Sequence, residues 1–252
     1  MLDPTYILYN NSLIMVNLFD LEYDILLYQF KLGLIVSSVC IGLFLIFFFR
    51  LDHDLLLWYH GRFNHTQYFN GKRVWITGGS SGIGEYLAYE LTQQGARVAI
   101  SARRETELNK VAQSCRGKYA PAIPIVFDQL DYSKHQSTLD EVISKLGGLD
   151  IIVINAGRSQ RALAVETDLQ VTRDIIDLNV ISYVNLTKCV LPYFQKQKSG
   201  TIVATSSVAG KIGSTLSSSY SLTKWAIIGY YNALRTEVAD DGISVCMVCP
   251  GM

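Results

Sequence analysis

The stretch "YSLTK" carries a tyrosine and a lysine four positions apart, Tyr220 and Lys224. On a helix that spacing puts both side chains on one face. A free phenol has a pKa of about 10 and is a poor proton relay at neutral pH. A neighbouring ammonium favours the phenolate and lowers that value. Such a pair could pass a proton to a reacting oxygen or take one from it. Spacing alone decides nothing, because "YFNGK" repeats it at Tyr68 and Lys72. The neighbourhood of each pair has to decide.

From Arg73 onward, short runs rich in valine and isoleucine alternate with segments of helical length. The runs at 73–77, 97–101, 122–127, 150–154, 201–206 and 243–248 are apolar at nearly every position and read as buried parallel strands. Helices are predicted over 83–94, 134–146, 170–197 and 219–239. The alternation implies right-handed βαβ units and an α/β fold with a doubly wound parallel sheet of Rossmann type.

The first strand runs directly into "TGGSSGIGEYLAYEL". A diphosphate must approach backbone N–H groups closely, side chains at the turn would block it, and a helix N-terminus offers unpaired donors. Gly78, Ser80, Ser81, Gly82, Ile83 and Gly84 are therefore the expected cofactor-facing residues of a dinucleotide site.

The spacing from Thr77 to Gly84 is T-G-x-x-x-G-x-G, and it resembles the short-chain dehydrogenase/reductase family. Further stretches match in order: "DQLD" with Asp128 in the adenine-contacting place, "NAG" with Asn155, "LNV" with Asn179, "SSVAG" with Ser207, and "PG" at Pro250 and Gly251. Ser207 precedes Tyr220 by the family's interval of thirteen residues, whereas Tyr68 and Lys72 have no such company. Ile154 departs from the pattern, standing where the family commonly has an asparagine.

The resemblance implies a catalytic set of Asn179, Ser207, Tyr220 and Lys224. Tyr220 would donate a proton to a carbonyl oxygen as hydride reaches the carbon. Ser207 would bind the same substrate oxygen, and Lys224 would hold the nicotinamide ribose while lowering the phenol's pKa. Asn179 would hold a water linking Lys224 to solvent. Tyr220 and Lys224 thus count among the cofactor contacts as well.

Cofactor choice is read after the second strand, where an NAD enzyme places an acidic residue for the ribose hydroxyls. Here Ala102 is followed by Arg103 and Arg104, which suit a 2′-phosphate. NADP(H) is the expected cofactor, with NAD(H) as the alternative. A CxxC-like "CMVC" at 246–249 is not read as a metal or redox site, because strand residues three apart face opposite ways. Those cysteines are expected to fill the core, and no metal is expected.

The 252 residues carry a formal net charge of zero, so nothing global points to nucleic acid. Five scattered cysteines argue against a disulfide-stapled fold. Mean hydropathy is +0.21, and the excess lies in "LGLIVSSVCIGLFLIFFF", eighteen uncharged residues between Lys31 and Arg50. At 1.5 Å per residue this run spans about 27 Å, close to a bilayer's hydrocarbon thickness. A single-pass anchor is expected. Lysine and arginine are commoner after the run than before it, which favours a cytosolic C-terminal domain. Trp58 and Tyr59 fall where an interfacial belt would lie, and His53, His60 and His65 are spread over the same polar stretch. Sequons stand at Asn10, Asn64 and Asn185.

The expected organisation is an N-terminal segment 1–30, an anchor 31–50, a juxtamembrane linker 51–70 and a dinucleotide-binding domain 71–252. The chain stops at Met252, just after "PG", where the family continues into a threonine-containing segment, a substrate lid and a last strand. The resemblance therefore implies a domain without its lid and with one unpaired sheet edge. The stretches "LLLWYHGR", "SARR", "SQR" at 159–161, "LTKCVLP" and "LRTE" resemble a membrane-anchored animal branch of the family in the endoplasmic reticulum. That likeness implies NADPH-dependent reduction of lipophilic ketones, aldehydes or quinones, of steroid or retinoid type. The implied partners are membrane lipid and, through the long helices, a homodimer. Two alternatives stand beside this reading: a catalytically impaired nucleotide-binding protein acting through dimerisation, and an NAD-dependent alcohol dehydrogenase.

Overall fold

The computed structural model describes the backbone of Tyr6–Tyr9, Ser12–Met15, Leu18–Arg50 and residues 68–251, and the side chains of residues 23–45 and 68–251. The sequon residues Asn10 and Asn64, Trp58, Tyr59, the three histidines His53, His60 and His65, and Met252 lie outside the described residues. The chain divides into two units, residues 1–64 and 65–252.

In the first unit, β1 (Tyr6–Tyr9) pairs antiparallel with β2 (Ser12–Met15) and helix α1 (Leu18–Arg50) follows. Within α1, Tyr23–Leu45 is long and apolar enough to cross a membrane, about 35 Å at 1.5 Å per residue. The helix begins thirteen residues before the expected anchor start at Lys31. No glycine or proline interrupts "LFDLEYDILLYQFK", and charged residues with good helical propensity do not stop a helix.

The second unit holds six parallel strands: β3 (Arg73–Thr77), β4 (Arg97–Ala102), β5 (Ile123–Val126), β6 (Ile151–Ile154), β7 (Gly200–Thr205) and β8 (Ile243–Val248). Their spatial order is β5-β4-β3-β6-β7-β8, so the direction of winding reverses between β3 and β6. In an open α/β sheet that reversal opens a crevice at the strands' carboxyl ends.

Helices α2 (Gly82–Gln93) and α3 (Glu105–Ser114) cover one face, with Val74, Ile76, Val98 and Ile100 packed against Ala88, Leu91, Leu108 and Val111. The other face packs against α4 (His135–Leu146), α6 (Ser182–Gln197) and α7 (Ser218–Glu237) through Trp75, Ile152, Tyr183, Phe194, Ile202 and Tyr231. Val74 and Ile76 point to one face and Trp75 to the other, as the period of two requires.

Helix α3 escapes the sequence pattern because only Leu108, Val111 and Ala112 of its ten residues are buried. The predicted single helix over 170–197 is two helices, α5 (Leu169–Ile176) and α6, joined by a π-helical turn at Asp177–Ile181. The expected core position of Cys246 is corrected: it is exposed, on a face of β8 that α2 and α3 do not cover. Cys249 is half-buried beyond the strand's end. The sequon at Asn185 lies within α6. The Asn185 side chain faces His135 Nδ1 at 3.1 Å, and Thr187 of the same sequon is fully buried against the Tyr231 hydroxyl at 2.8 Å.

One ion pair fixes the amino ends of the central strands. Arg73 donates from Nε and Nη2 to Asp150 at 2.9 and 2.5 Å, and from its backbone N at 2.8 Å. Burial opposes ionisation of Asp150, but Arg73's hydrogen bonds and charge outweigh it and hold the carboxyl below the usual carboxylate range. A depressed carboxyl pKa stabilises the fold above the unfolded value of about 4 and loses that contribution as pH falls through the folded value. Arg73→Ala is expected to cost about 1.5–3 kcal/mol at pH 7. Urea unfolding should show the gap narrowing below about pH 4; a gap independent of pH would contradict the assignment.

Candidate active site

The turn after β3 is shaped by close approaches. Gly78 has φ +70°, and a Cβ on it would lie 2.7 Å from Ala156 Cα. A Cβ on Gly84 would meet Gly78 O at 2.4 Å and Asn155 Nδ2 at 2.8 Å, so only glycine lets α2 sit directly on the turn. Gly82 is different: with φ +60° it needs conformational freedom, and a Cβ would meet nothing within 4 Å. Ser81, the N-cap residue of α2, makes no side-chain cap bond, which leaves the helix's first amides as donors for an anion.

These features border a cleft of about 400 Å³ at the β3/β6 reversal. Gly78, Ser80, Ser81, Ile83, Arg103, Arg104, Asp128 and Asn155 all line it, which is every expected cofactor residue of the turn and strand ends except Gly82 and Gly84. Arg104 donates from Nη2 to Ser81 Oγ at 3.1 Å and Ser80 Oγ at 3.4 Å, so a guanidinium from the end of β4 leans over the glycine turn. Asp128 Oδ1 accepts from Leu130 N at 3.0 Å, which fixes the loop after β5. Asn155 supports the cleft's wall by donating from Nδ2 to Thr77 O at 3.2 Å.

Thr77, Phe127, Gln129, Ala156, Gly157 and Leu178 also line the cleft and are not among the expected site residues. Gln129 and Ala156 lie inside stretches already singled out, "DQLD" and "NAG", so position was their only signal.

A second cluster gathers around α7. The π turn delivers Asn179, fully buried, whose Oδ1 accepts from Arg158 N at 3.1 Å while Nδ2 donates to Arg158 O at 2.9 Å and to Thr223 Oγ1 at 3.2 Å. Both donors of this amide are in use, which leaves its oxygen's second lone pair for a water. The side chain ties the loop after β6 to α7. A π insertion is a frequent mark of functional sites, because it redirects side chains a regular helix would aim elsewhere.

Ser207 N-caps a short turn at Val208–Gly210, its Oγ accepting from Ala209 N at 3.2 Å, which leaves the hydroxyl proton free to point outward. Gly210 brings that turn onto α7; a Cβ there would lie 2.8 Å from Lys224 O. Ser206 Oγ donates to the same carbonyl at 3.2 Å.

Lys224 is 4 % exposed and donates from Nζ to Thr205 O at 2.9 Å. Its Nζ lies 5.5 Å from the centre of the Tyr220 ring, on a half-buried residue. Tyr68 and Lys72 repeat both spacing and distance, at 5.5 Å, but Tyr68 is 54 % exposed. Burial separates the two pairs where spacing cannot. Burial also pushes the Lys224 ammonium down to about 8.

Residues 72–252 match the family model for short chain dehydrogenases, and the chain belongs to that family. It is 41% identical over 211 residues to dehydrogenase/reductase SDR family member 7 of Mus musculus, covering 81% of this chain and 62% of that protein. It is 36% identical over 208 residues to hydroxysteroid 11-beta-dehydrogenase 1-like protein B of Xenopus laevis, covering 82% of this chain and 68% of the relative. A solved short-chain dehydrogenase from Streptomyces avermitilis superposes with a TM-score of 0.67 at 33% identity, covering 73% of this chain and 66% of that one. The chain thus spans 62% of the length of the mouse relative.

Gly84→Ala is expected to weaken dinucleotide binding at least about tenfold (about 1.4 kcal/mol) by displacing the turn. Gly82→Ala should cost only left-handed strain, about 1–2 kcal/mol of stability. Fluorescence titration with NADPH and thermal melts of both variants check this; equal losses of affinity would contradict it.

Proposed function

We propose that this chain is a membrane-anchored, NADPH-dependent carbonyl reductase acting on lipophilic ketones, aldehydes or quinones. The observation that carries the reading is the buried ammonium of Lys224 beside the phenol of Tyr220, in a domain that also holds a glycine-walled cleft. A buried cation without an ion-pair partner is costly and is retained where charge serves chemistry. Among the described residues no carboxylate lies within ion-pair reach of Lys224.

The residues present fit a dinucleotide. Gly78 and Gly84 keep the turn free of side chains, the first amides of α2 would receive the diphosphate, and Asp128 would meet the adenine end. Arg103 and Arg104 would receive a 2′-phosphate, with Ala102 offering no competing carboxylate. Lys224 has two N–H groups beyond the one given to Thr205 O, enough for the nicotinamide ribose hydroxyls. A nicotinamide bound there would supply hydride to the carbonyl carbon. Tyr220 then gives its proton to the carbonyl oxygen, and the ammonium beside it stabilises the phenolate left behind. Ser207, its oxygen already accepting from Ala209 N, donates to the same substrate oxygen and offsets its developing charge. Asn179 acts by fixing Arg158 and Thr223 around this centre.

The lipophilic substrate class rests on two supports: the apolar helix within Tyr23–Leu45, read as a single-pass anchor in the endoplasmic reticulum, and relatives named for hydroxysteroids. A homodimer belongs to the same reading, since α7 presents Leu222 and Trp225 at 49% and 53% exposure.

Steady-state kinetics with NADPH and NADH on the Arg103→Ala/Arg104→Ala variant tests the cofactor assignment. Losing charge-assisted hydrogen bonds of about 1.5–3 kcal/mol should reduce the NADPH preference at least about tenfold. A preference left unmoved would contradict the assignment of Arg103 and Arg104 to a 2′-phosphate, and a parent chain that prefers NADH would make NAD(H) the cofactor.

A further inference from the structure

Lys224 poses a physical problem that Tyr220 alone does not answer. Lys224 is 4% exposed, one N–H reaches a neutral carbonyl, and among the described residues the groups facing it bring no carboxylate. From α7 comes the Tyr220 ring at 5.5 Å, from β7 the carbonyl of Thr205, and from the segment after β8 the thiol of Cys249. From α6 comes Tyr183, whose ring centre lies 5.8 Å from Nζ. Tyr183 is fully buried, one helical turn beyond Asn179, and its hydroxyl has no hydrogen-bond partner among the described residues. Behind it, the Tyr231 hydroxyl is paired with the Thr187 hydroxyl at 2.8 Å. Burial, with the nearby phenols Tyr231 and Tyr220, keeps the Tyr183 phenol neutral by raising its pKa well above the usual value.

We propose that Tyr183 is the positioning residue for Lys224: the electron-rich face of its buried ring, not its hydroxyl, holds the ammonium charged and in place beside Tyr220. A cation within about 6 Å of an aromatic face is attracted by the ring quadrupole, and the attraction grows when both partners are desolvated. This interaction opposes the burial that brings the ammonium to about 8. The inference rests on the reductase reading for its consequence, since it concerns the cation that reading uses, but its test does not depend on turnover.

The sign follows from which form the ring favours. The ring stabilises the protonated amine, so weakening its face must lower the Lys224 pKa further. The direct measurement is carbon NMR titration of ¹³C-lysine-labelled, detergent-solubilised full chain, with the Lys224 signal identified by its loss in Lys224→Arg. Tyr183→Leu is expected to drop the titration by about one pH unit. Tyr183→Phe, which keeps a ring face, should move it far less. Because Leu in a packed core can disturb folding, the deciding variants carry mono-, di- and trifluorophenylalanine at 183, which keep the ring's shape while draining its face. A stepwise fall of the titration with fluorine number supports the inference. A titration unmoved across the fluorine series overturns it, as does a Phe variant that falls as far as Leu. A stepwise fall in a protein that reduces no carbonyl would support Tyr183's role and count against the reductase reading. Turnover with a flat series would do the reverse.

Discussion

Thr77 has no exposed surface, and its hydroxyl oxygen accepts from two consecutive backbone amides, Asn155 N at 3.0 Å and Ala156 N at 3.1 Å. This joint between the ends of β3 and β6 is the constraint from which the rest follows. It ties together the two strand ends at the point where the sheet's winding reverses, so that the glycine turn on one strand and the Asn155–Gly157 turn on the other lie against each other. Gly78 fits against Ala156 because it carries no Cβ, which would lie 2.7 Å from Ala156 Cα. Gly157 in turn faces Asn179: a Cβ there would lie 3.0 Å from Asn179 Oδ1. Asn179 bonds Thr223 on the helix that carries Tyr220 and Lys224. Cleft and cation are thus linked through a few short polar contacts rather than one long element.

The charges along this path are treated in opposite ways. Arg103 and Arg104 are exposed at the cleft's rim, where water keeps a cation inexpensive and an incoming phosphate can displace it. Lys224 is withdrawn from water, where each nearby dipole and ring face counts for more. The first arrangement suits recognition of an anion arriving from solution, the second suits control of a neighbouring proton. At the other end of the strands, Arg73 and Asp150 form a mutual pair that serves the fold, half-exposed and remote from the cleft.

Much of the fold was legible because buried parallel strands are apolar throughout; β3 and β8 match their predicted limits at 73–77 and 243–248. The glycine turn was legible because its requirement is local. What escaped depends on contacts distant in sequence. The π turn looks like ordinary helix, since "DLNVI" has no breaker, and only the pull of Asn179 toward Arg158 reveals it. Cys246 looks like core until the cover of each sheet face is known. Tyr183 looks like one more aromatic on a buried helix, and nothing in "ISYVN" announces that its ring meets Lys224 from 41 residues away. Asn185 matches a sequon by spacing, and nothing local reveals that Thr187 packs against Tyr231.

The most direct test of the account is hydride consumption by the detergent-solubilised chain and its Tyr220→Phe variant, with NADPH and a panel of lipophilic ketones, aldehydes and quinones. The variant keeps the ring beside Lys224 and removes only the transferable proton. The account predicts turnover by the parent chain and a loss of about 10²–10⁴-fold in the variant, with NADPH affinity nearly unchanged. A Tyr220→Phe protein that reduces carbonyls as fast as its parent would contradict it.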